Sequence, residues 1–166
     1  AMLRKKPGKL CLTCHDQLPG FTARVKHEPF ESGECLSCHG GHGTKEQKLL
    51  IVEAEKLCFR CHETKNFLNG PVLHPPSAEA DCLTCHSPHG SGTPRLLVRD
   101  QKNLCFSCHE EQKEEISRFS LHSPFTQGEC VSCHSPHQSK EKALLKKKFS
   151  NGELCLDCHE KVDPAI

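Results

Sequence analysis

The sequence has no tryptophan and no tyrosine, so phenylalanine is its only aromatic residue. Only 35% of its 166 residues are hydrophobic, although a globular chain of this length normally buries a core of aliphatic and aromatic side chains. It also has no long apolar run of the kind that spans a membrane. Its composition therefore predicts a chain that stays unfolded unless something other than its own side chains forms the core.

Cysteine, in contrast, is abundant, and all fourteen cysteines lie in seven copies of one phrase, Cys-x-x-Cys-His. This spacing is typical of c-type haem attachment, in which two thiols form thioether bonds and the adjacent histidine becomes the proximal iron ligand. The sequence thus predicts seven covalently attached haem c groups that supply the missing core. The predicted attachment residues are Cys11, Cys14, Cys35, Cys38, Cys58, Cys61, Cys82, Cys85, Cys105, Cys108, Cys130, Cys133, Cys155 and Cys158.

Zinc is the alternative, because two Cys-x-x-Cys pairs about twenty residues apart also form zinc ribbons. Three features of the sequence argue against it. A histidine follows every pair, the number of pairs is odd, and no cysteine lies outside the phrase. A disulfide framework gives no reason for the histidines.

The seven motifs alternate between two types, and this gives a repeat of about 47 residues. In a first-type motif leucine precedes the first cysteine, as at Leu10, Leu57, Leu104 and Leu154. In a second-type motif an acidic residue precedes it, as at Glu34, Asp81 and Glu129.

All thirteen histidines occur in register with these motifs, and we predict that all are iron ligands. The seven proximal histidines are His15, His39, His62, His86, His109, His134 and His159. Three upstream histidines lie eight residues before a second-type motif, at His27, His74 and His122. Three downstream histidines lie three residues after a second-type proximal histidine, at His42, His89 and His137.

A downstream histidine shares a short segment with its own proximal histidine, so the porphyrin blocks it from the other face of the same haem. We therefore expect each downstream histidine to ligate the next first-type haem, and each upstream histidine to ligate the second-type haem after it. The two families could exchange roles. In the first arrangement the haem of Cys11 lacks a regular distal histidine, and in the reverse arrangement the haem of Cys155 does.

The fold class predicted is mostly coil with short α-helices, in which porphyrins form the core of a multihaem array. No linker divides the sequence, so we expect one seven-haem domain over residues 1–166. Its two-haem repeats span roughly 1–47, 48–94 and 95–143, followed by a last haem site in 144–166. The longest helix is predicted over 107–119, and the recurring pair Leu49-Leu50 is expected to pack on a haem face.

The order of these motifs resembles the doubled CxxCH family of multihaem cytochromes. The pattern is His-x-Pro, then Glu/Asp-Cys-x-x-Cys-His-x-x-His, then Leu-Cys-x-x-Cys-His, and it covers nearly the whole chain. The family is similar to pentahaem electron donors of nitrite reductase and to decahaem conduits of outer membranes. The resemblance implies a coil and helix fold, bis-histidine haems and closely packed porphyrins.

The predicted function is electron transfer along the haems between redox protein partners, with no catalytic residue. One alternative is a multihaem reductase with one open iron, because thirteen histidines cannot fill fourteen axial positions. Another is a module of an extracellular cytochrome filament, with self-association through exchanged ligands. The sequence has no interleaved aromatic residues and no dominant basic face, so nothing indicates nucleic-acid binding.

Covalent haem and fourteen cysteines suit a compartment outside the cytoplasm. We therefore expect a periplasmic or extracellular protein whose secretion signal has been removed, since the sequence contains neither a signal peptide nor a transmembrane segment.

The seven unbroken motifs predict seven haem additions per chain. Because thioether bonds survive denaturation, the intact mass of the denatured, fully matured protein should contain all seven. A mature sample with six or fewer would contradict the prediction.

Overall fold

The computed structural model describes residues 5–116, 118 and 122–160. Most of these residues lie in coil, bends and turns, so the predicted fold class is confirmed. The α-helices are α1 (Pro7–Cys11), α2 (Glu28–Glu31), α3 (Ala54–Leu57), α4 (Lys65–Leu68), α5 (Pro75–Ala78), α6 (Gln101–Phe106), α7 (Glu110–Glu115), α8 (Ser123–Gln127) and α9 (Cys130–Cys133). One-turn 3-10 segments cover Cys35–Ser37, Gln47–Leu49, Cys58–Arg60, Cys82–Thr84, Pro94–Leu96, Lys142–Leu144 and Cys155–Asp157.

Two short antiparallel strand pairs connect segments that are far apart in the sequence. Strand β1 (Val25–Lys26) pairs with β3 (Gly90–Ser91), and β2 (Val72–Leu73) pairs with β4 (Gln138–Ser139). The chain divides into two compact units, one of Ala1–Cys61 with Asp81–Leu104 and the other of His62–Ala80 with Cys105–Ile166. The first strand pair lies in the first unit and the second pair in the second.

Each upstream histidine begins a short helix. The backbones of His27, His74 and His122 are extended, and a proline occupies the first turn of the helix that follows. Proline fits there because the first N–H groups of a helix have no intrahelical acceptor. These helices, α2, α5 and α8, thus place each upstream histidine at the same local position relative to its second-type motif.

The helix predicted over 107–119 is shorter than expected. Its observed counterpart α7 begins at Glu110, because His109 has a non-helical backbone (φ −97°, ψ 65°) at the end of its motif. At the other end α7 ends at Glu115, and Ile116 after it still has helical backbone angles (φ −59°, ψ −20°). Ser117 and Phe119 lie outside the described residues. Glu110 and Glu111 lie in the first turn, where their negative charges interact favourably with the helix dipole.

Among the described residues the polypeptide forms almost no core of its own. Phe106 is the one buried hydrophobic side chain, and no side chain is fully buried. The chain exposes 12719 Å², whereas a compact protein of its mass would expose about 8,200 Å². The array of short elements therefore depends on something beyond side-chain packing for its stability.

Because hydrophobic burial is so limited, the polypeptide without covalent haem should not fold cooperatively. Apoprotein produced without haem attachment should lose its circular-dichroism signal gradually on heating. The holoprotein, measured beside it, should unfold in one sharp transition. A sharp transition in the apoprotein would show that the polypeptide has a core of its own.

Candidate haem-binding sites

The proximal histidines of the second-type motifs are held in one ring orientation by the backbone. In each case the ring Nδ1 lies 2.8–2.9 Å from the carbonyl oxygen of the residue nine positions later. When Nδ1–H donates to that carbonyl, the lone pair of Nε2 remains available for a metal, as in most metal-binding histidines. The pairs are His39 with Lys48, His86 with Arg95, and His134 with Ala143.

The accepting carbonyl belongs to an unusual turn. Lys48 and Leu49 both have left-handed backbones (φ 54° and 56°). A second pair of left-handed residues begins at Arg95, and a third begins at Ala143. Left-handed conformations cost side-chain-bearing residues roughly 1–2 kcal/mol each, so the surrounding bonds must hold the turn. In the first repeat Gly40 N–H donates to Leu49 at 2.7 Å, and Ile51 N–H donates to Cys38 at 3.0 Å.

This turn is where the recurring leucine pair lies. Leu49 is half exposed, and Leu50 forms a backbone bridge with His39. The pair therefore shapes the loop that orients the proximal histidine. The expected packing of these side chains on a haem face stays a prediction.

Three pairs of imidazole rings face one another at nearly the same separation. Their ring centres are 6.0, 6.1 and 6.0 Å apart, and the ring planes differ by 36°, 16° and 31°. Each pair joins one proximal histidine to one upstream or downstream histidine. The pairs are His39 with His89, His74 with His109, and His122 with His159.

This separation fits two axial ligands of one iron. With metal–nitrogen bonds of about 2.0 Å on opposite sides, two imidazoles have ring centres about 6.3 Å apart. Rings in face-to-face contact would be closer than this, and the three separations agree within 0.1 Å. The residues present therefore fit bis-histidine haem at these three positions.

The observed pairs correct the expected direction of ligation. His89 faces His39 of the preceding second-type motif, so its assignment to the Cys105 haem is wrong. The proximal histidine of that haem, His109, faces the upstream histidine His74 instead. In the same way His159 faces His122, so the expected assignment of His137 to the Cys155 haem is also wrong. His74 and His122 thus take the role expected of the downstream family, and His89 takes the role expected of the upstream family. The Cys155 haem was expected to lack a distal histidine in this reversed arrangement, but its proximal histidine His159 faces His122, so that expectation is also wrong.

The distal imidazoles lie in partly buried surroundings that favour the neutral form. The pKa of His89 is lowered by burial and then by His39 and His27, and the ring of Phe30 packs 4.9 Å away. Burial and then His109 lower the pKa of His74. Neutral imidazole is the form that binds iron, so both shifts favour ligation.

Cysteines of consecutive motifs are neighbours in the first compact unit. Burial, and next the electrostatic interaction with Cys11, raises the pKa of Cys35. Burial, and next the electrostatic interaction with Cys82, raises the pKa of Cys58 to about 11. Haems attached through adjacent cysteines would have adjacent edges, which is the arrangement that electron hopping needs.

Glycine permits the close approach of the first two motifs. A Cβ on Gly8 would lie 2.6 Å from the carbonyl oxygen of Gly33, which is rigid backbone. Gly8 is three residues before Cys11, and Gly33 is two residues before Cys35. The backbone contact of these glycines therefore positions the first cysteines of both motifs.

None of the fourteen predicted attachment cysteines forms a disulfide, and all lie in the described residues. Within that part of the chain, no three His, Cys, Asp or Glu side chains converge as ligands for a bare metal ion. Haem iron requires only two axial protein ligands, because the porphyrin supplies the other four.

Residues 27–67, 74–114 and 122–164 each match the family model described as doubled CXXCH motif. Together these matches cover more than half of the sequence. The chain belongs to the doubled CXXCH family. It is thus a multihaem c-type cytochrome, and its predicted recognition is confirmed. No curated protein matches the chain.

The family matches define three doubled motifs that each begin at an upstream histidine. In the second doubled motif, 74–114, His74 faces His109 of the same match, whereas His89 faces His39 of the preceding one. An upstream histidine thus completes a ligand pair within its doubled motif, and a downstream histidine connects two of them. The motif at Cys11 lies outside the three matches.

The helices of the described residues are all too short or too polar to cross a membrane.

Replacing His89 by Ala should convert the Cys35 haem, and only that haem, from low spin to high spin, because His39 loses the imidazole opposite it. The high-spin fraction in the electron paramagnetic resonance spectrum should rise by one haem in seven. The matched control is His42→Ala, which changes the corresponding downstream histidine in the first repeat and should leave the Cys35 haem low-spin. Conversion of the Cys105 haem by His89→Ala would restore the original assignment.

Proposed function

We propose that this protein is a heptahaem c-type cytochrome that carries electrons along closely spaced bis-histidine haems between redox proteins. The observation that carries the proposal is the set of three imidazole pairs at 6.0–6.1 Å, each formed by one proximal histidine and one other histidine. Two imidazoles keep an iron six-coordinate in both oxidation states, so little structural change accompanies electron transfer.

When bound, each haem supplies an iron that gains and loses one electron. The chain's own residues hold that iron in place. The carbonyls of Lys48, Arg95 and Ala143 fix the ring orientation of the second-type proximal histidines. Distal histidines such as His89 would supply the second histidine ligand of the iron and would exclude water from it.

Consecutive motifs adjoin at their cysteines, and this supports transfer in the order of the chain. Cys35 interacts electrostatically with Cys11, Cys38 with Cys61, and Cys58 with Cys82. These three links connect the first four motifs in sequence order. Electrons would therefore pass from one haem to the next without leaving the protein.

The partners we propose are an electron donor and an electron acceptor, both redox proteins. The polypeptide has a formal net charge of +1, but each ferric bis-histidine haem with two ionised propionates adds one negative charge. The holoprotein should therefore be acidic, and association with a basic redox partner should weaken with salt. We place the protein in the periplasm or outside the cell.

Reductive titration tests the function. The oxidised holoprotein should accept seven electrons per chain, one for each motif. After addition of less reductant than this, electrons should redistribute among haems at a rate independent of protein concentration, because they move within one molecule. A redistribution rate proportional to protein concentration would mean that the haems exchange electrons only between molecules, and would contradict the proposal.

A further inference from the structure

The two imidazoles that face each other at the Cys35 motif are held in different ways. Nδ1 of His39 is hydrogen-bonded to the carbonyl of Lys48, and this bond fixes the plane of the proximal ring. The main chain of His89 is fixed as well, because its carbonyl accepts the N–H of His27 at 3.0 Å beside the pairing of β1 with β3. The ring of His89, however, forms no hydrogen bond with any residue that the structure describes. Another contact must therefore determine the plane of the distal ring.

The ring of Phe30 makes that contact. Its centre lies 4.9 Å from the centre of the His89 ring, and the two planes differ by 35°, which is within the range that aromatic pairs favour. Phe30 is itself held, since the ring of Phe21 packs against it at 5.3 Å with the planes tilted by 57°. Three rings in succession, Phe21, Phe30 and His89, thus lead to the distal side of the Cys35 motif.

A glycine provides the space in which Phe30 and His89 meet. Gly20 is buried, and a Cβ at this position would lie 2.7 Å from Cε1 of Phe30 and 2.8 Å from Cβ of His89. Both distances are too short for carbon atoms that are not bonded to each other, so no side chain fits there. The backbone of Gly20 therefore closes the space beside the two rings and limits their movement on that side.

A phenylalanine also packs against the downstream histidine of the second compact unit. The ring of Phe67, in α4, lies 5.1 Å from the ring of His137, with the planes at 80°. His137 directly precedes β4, as His89 directly precedes β3. The aromatic contact thus recurs at the same position relative to a strand pair, although the phenylalanine belongs to a different element and imposes a different angle.

We propose that Phe30 is a positioning residue for electron transfer, whose ring fixes the plane of the His89 imidazole and thereby the angle between the two axial ligands of the Cys35 haem. The inference rests on the proposed function, since it requires iron between His39 and His89. The planes of these two rings differ by 36°. In low-spin ferric haem this angle affects the splitting of the iron d orbitals, and through it the largest g value and the reduction potential.

The variant Phe30→Leu tests this role in the holoprotein. Leucine keeps the site apolar but removes the flat ring, so the imidazole of His89 should take a range of orientations. In the electron paramagnetic resonance spectrum, the largest g value of the Cys35 haem should shift and its line should broaden, while the haem stays low-spin. The signal of this haem is identified beforehand as the low-spin signal that is lost in His89→Ala.

The matched control is Phe125→Leu. Phe125 is the third residue after His122 and follows a proline in the first turn of a helix, as Phe30 does after His27. Within the described part of the chain no imidazole ring packs against Phe125, so its replacement should leave the Cys35 signal at the wild-type position and width. Phe30→Tyr keeps the aromatic ring and should preserve the signal as well.

A second variant keeps the test valid if Phe30→Leu fails to mature. Gly20→Ala introduces a Cβ that must displace the edge of Phe30 or the base of His89. The same signal should therefore shift, although every aromatic ring is retained.

Two results would overturn the inference. One is a Phe30→Leu protein with seven low-spin haems whose Cys35 signal keeps the wild-type position and width. The other is an equal shift in Phe125→Leu, because the effect would then follow from the loss of any phenylalanine. Conversion of the Cys35 haem to high spin in Phe30→Leu alone would support the inference, since His89 would then need Phe30 to remain on the iron. Failure of the proposed function would be distinguishable, as haem missing by mass or as a His89→Ala protein in which every haem stays low-spin.

Discussion

The constraint on which the proposed haem sites depend is the length of the bond between iron and imidazole. Two such bonds set two rings about 6 Å apart, and that distance recurs between histidines that are 35 to 50 residues apart in the sequence. The polypeptide contributes little else across such distances, because Phe106 is its only buried hydrophobic side chain among the described residues. In the proposed cytochrome, iron coordination would connect distant segments, as packing of a hydrophobic core does in most proteins. The short elements serve mainly to present these rings.

The local backbone follows from this requirement. Each second-type motif is followed by a turn with two left-handed residues, and the first of them directs its carbonyl to the Nδ1 of the proximal histidine. None of the left-handed residues in these three turns is glycine, so each turn carries backbone strain. The strained turn places its carbonyl oxygen where it fixes the tautomer and the ring orientation of the proximal histidine before iron is bound. Prolines such as Pro29 likewise begin the helices next to the upstream histidines.

Sequence reasoning identified the candidate attachment and ligand residues, because Cys-x-x-Cys-His spacing is dictated by the covalent chemistry of haem. It also predicted the families of His74 and His89 from their registers. It did not predict which proximal histidine each of them faces. That direction depends on the pairing of Val25–Lys26 with Gly90–Ser91, which returns His89 to the preceding repeat. A strand of two residues has no recognisable hydrophobic alternation, so its partner cannot be read from the sequence. The predicted helix start at residue 107 was also wrong, because the motif fixes a non-helical backbone at His109 and the helix begins only at Glu110.

The central claim is that one iron connects a proximal histidine to a histidine of a neighbouring doubled motif. A crystal structure of the holoprotein tests it most directly, at a resolution that separates the porphyrin from its axial ligands. The account predicts that Nε2 of His39 and Nε2 of His89 bind opposite sides of the iron whose porphyrin is bonded to Cys35 and Cys38. A structure in which His89 binds the iron of the Cys105 haem, with His74 turned away from His109, would contradict it.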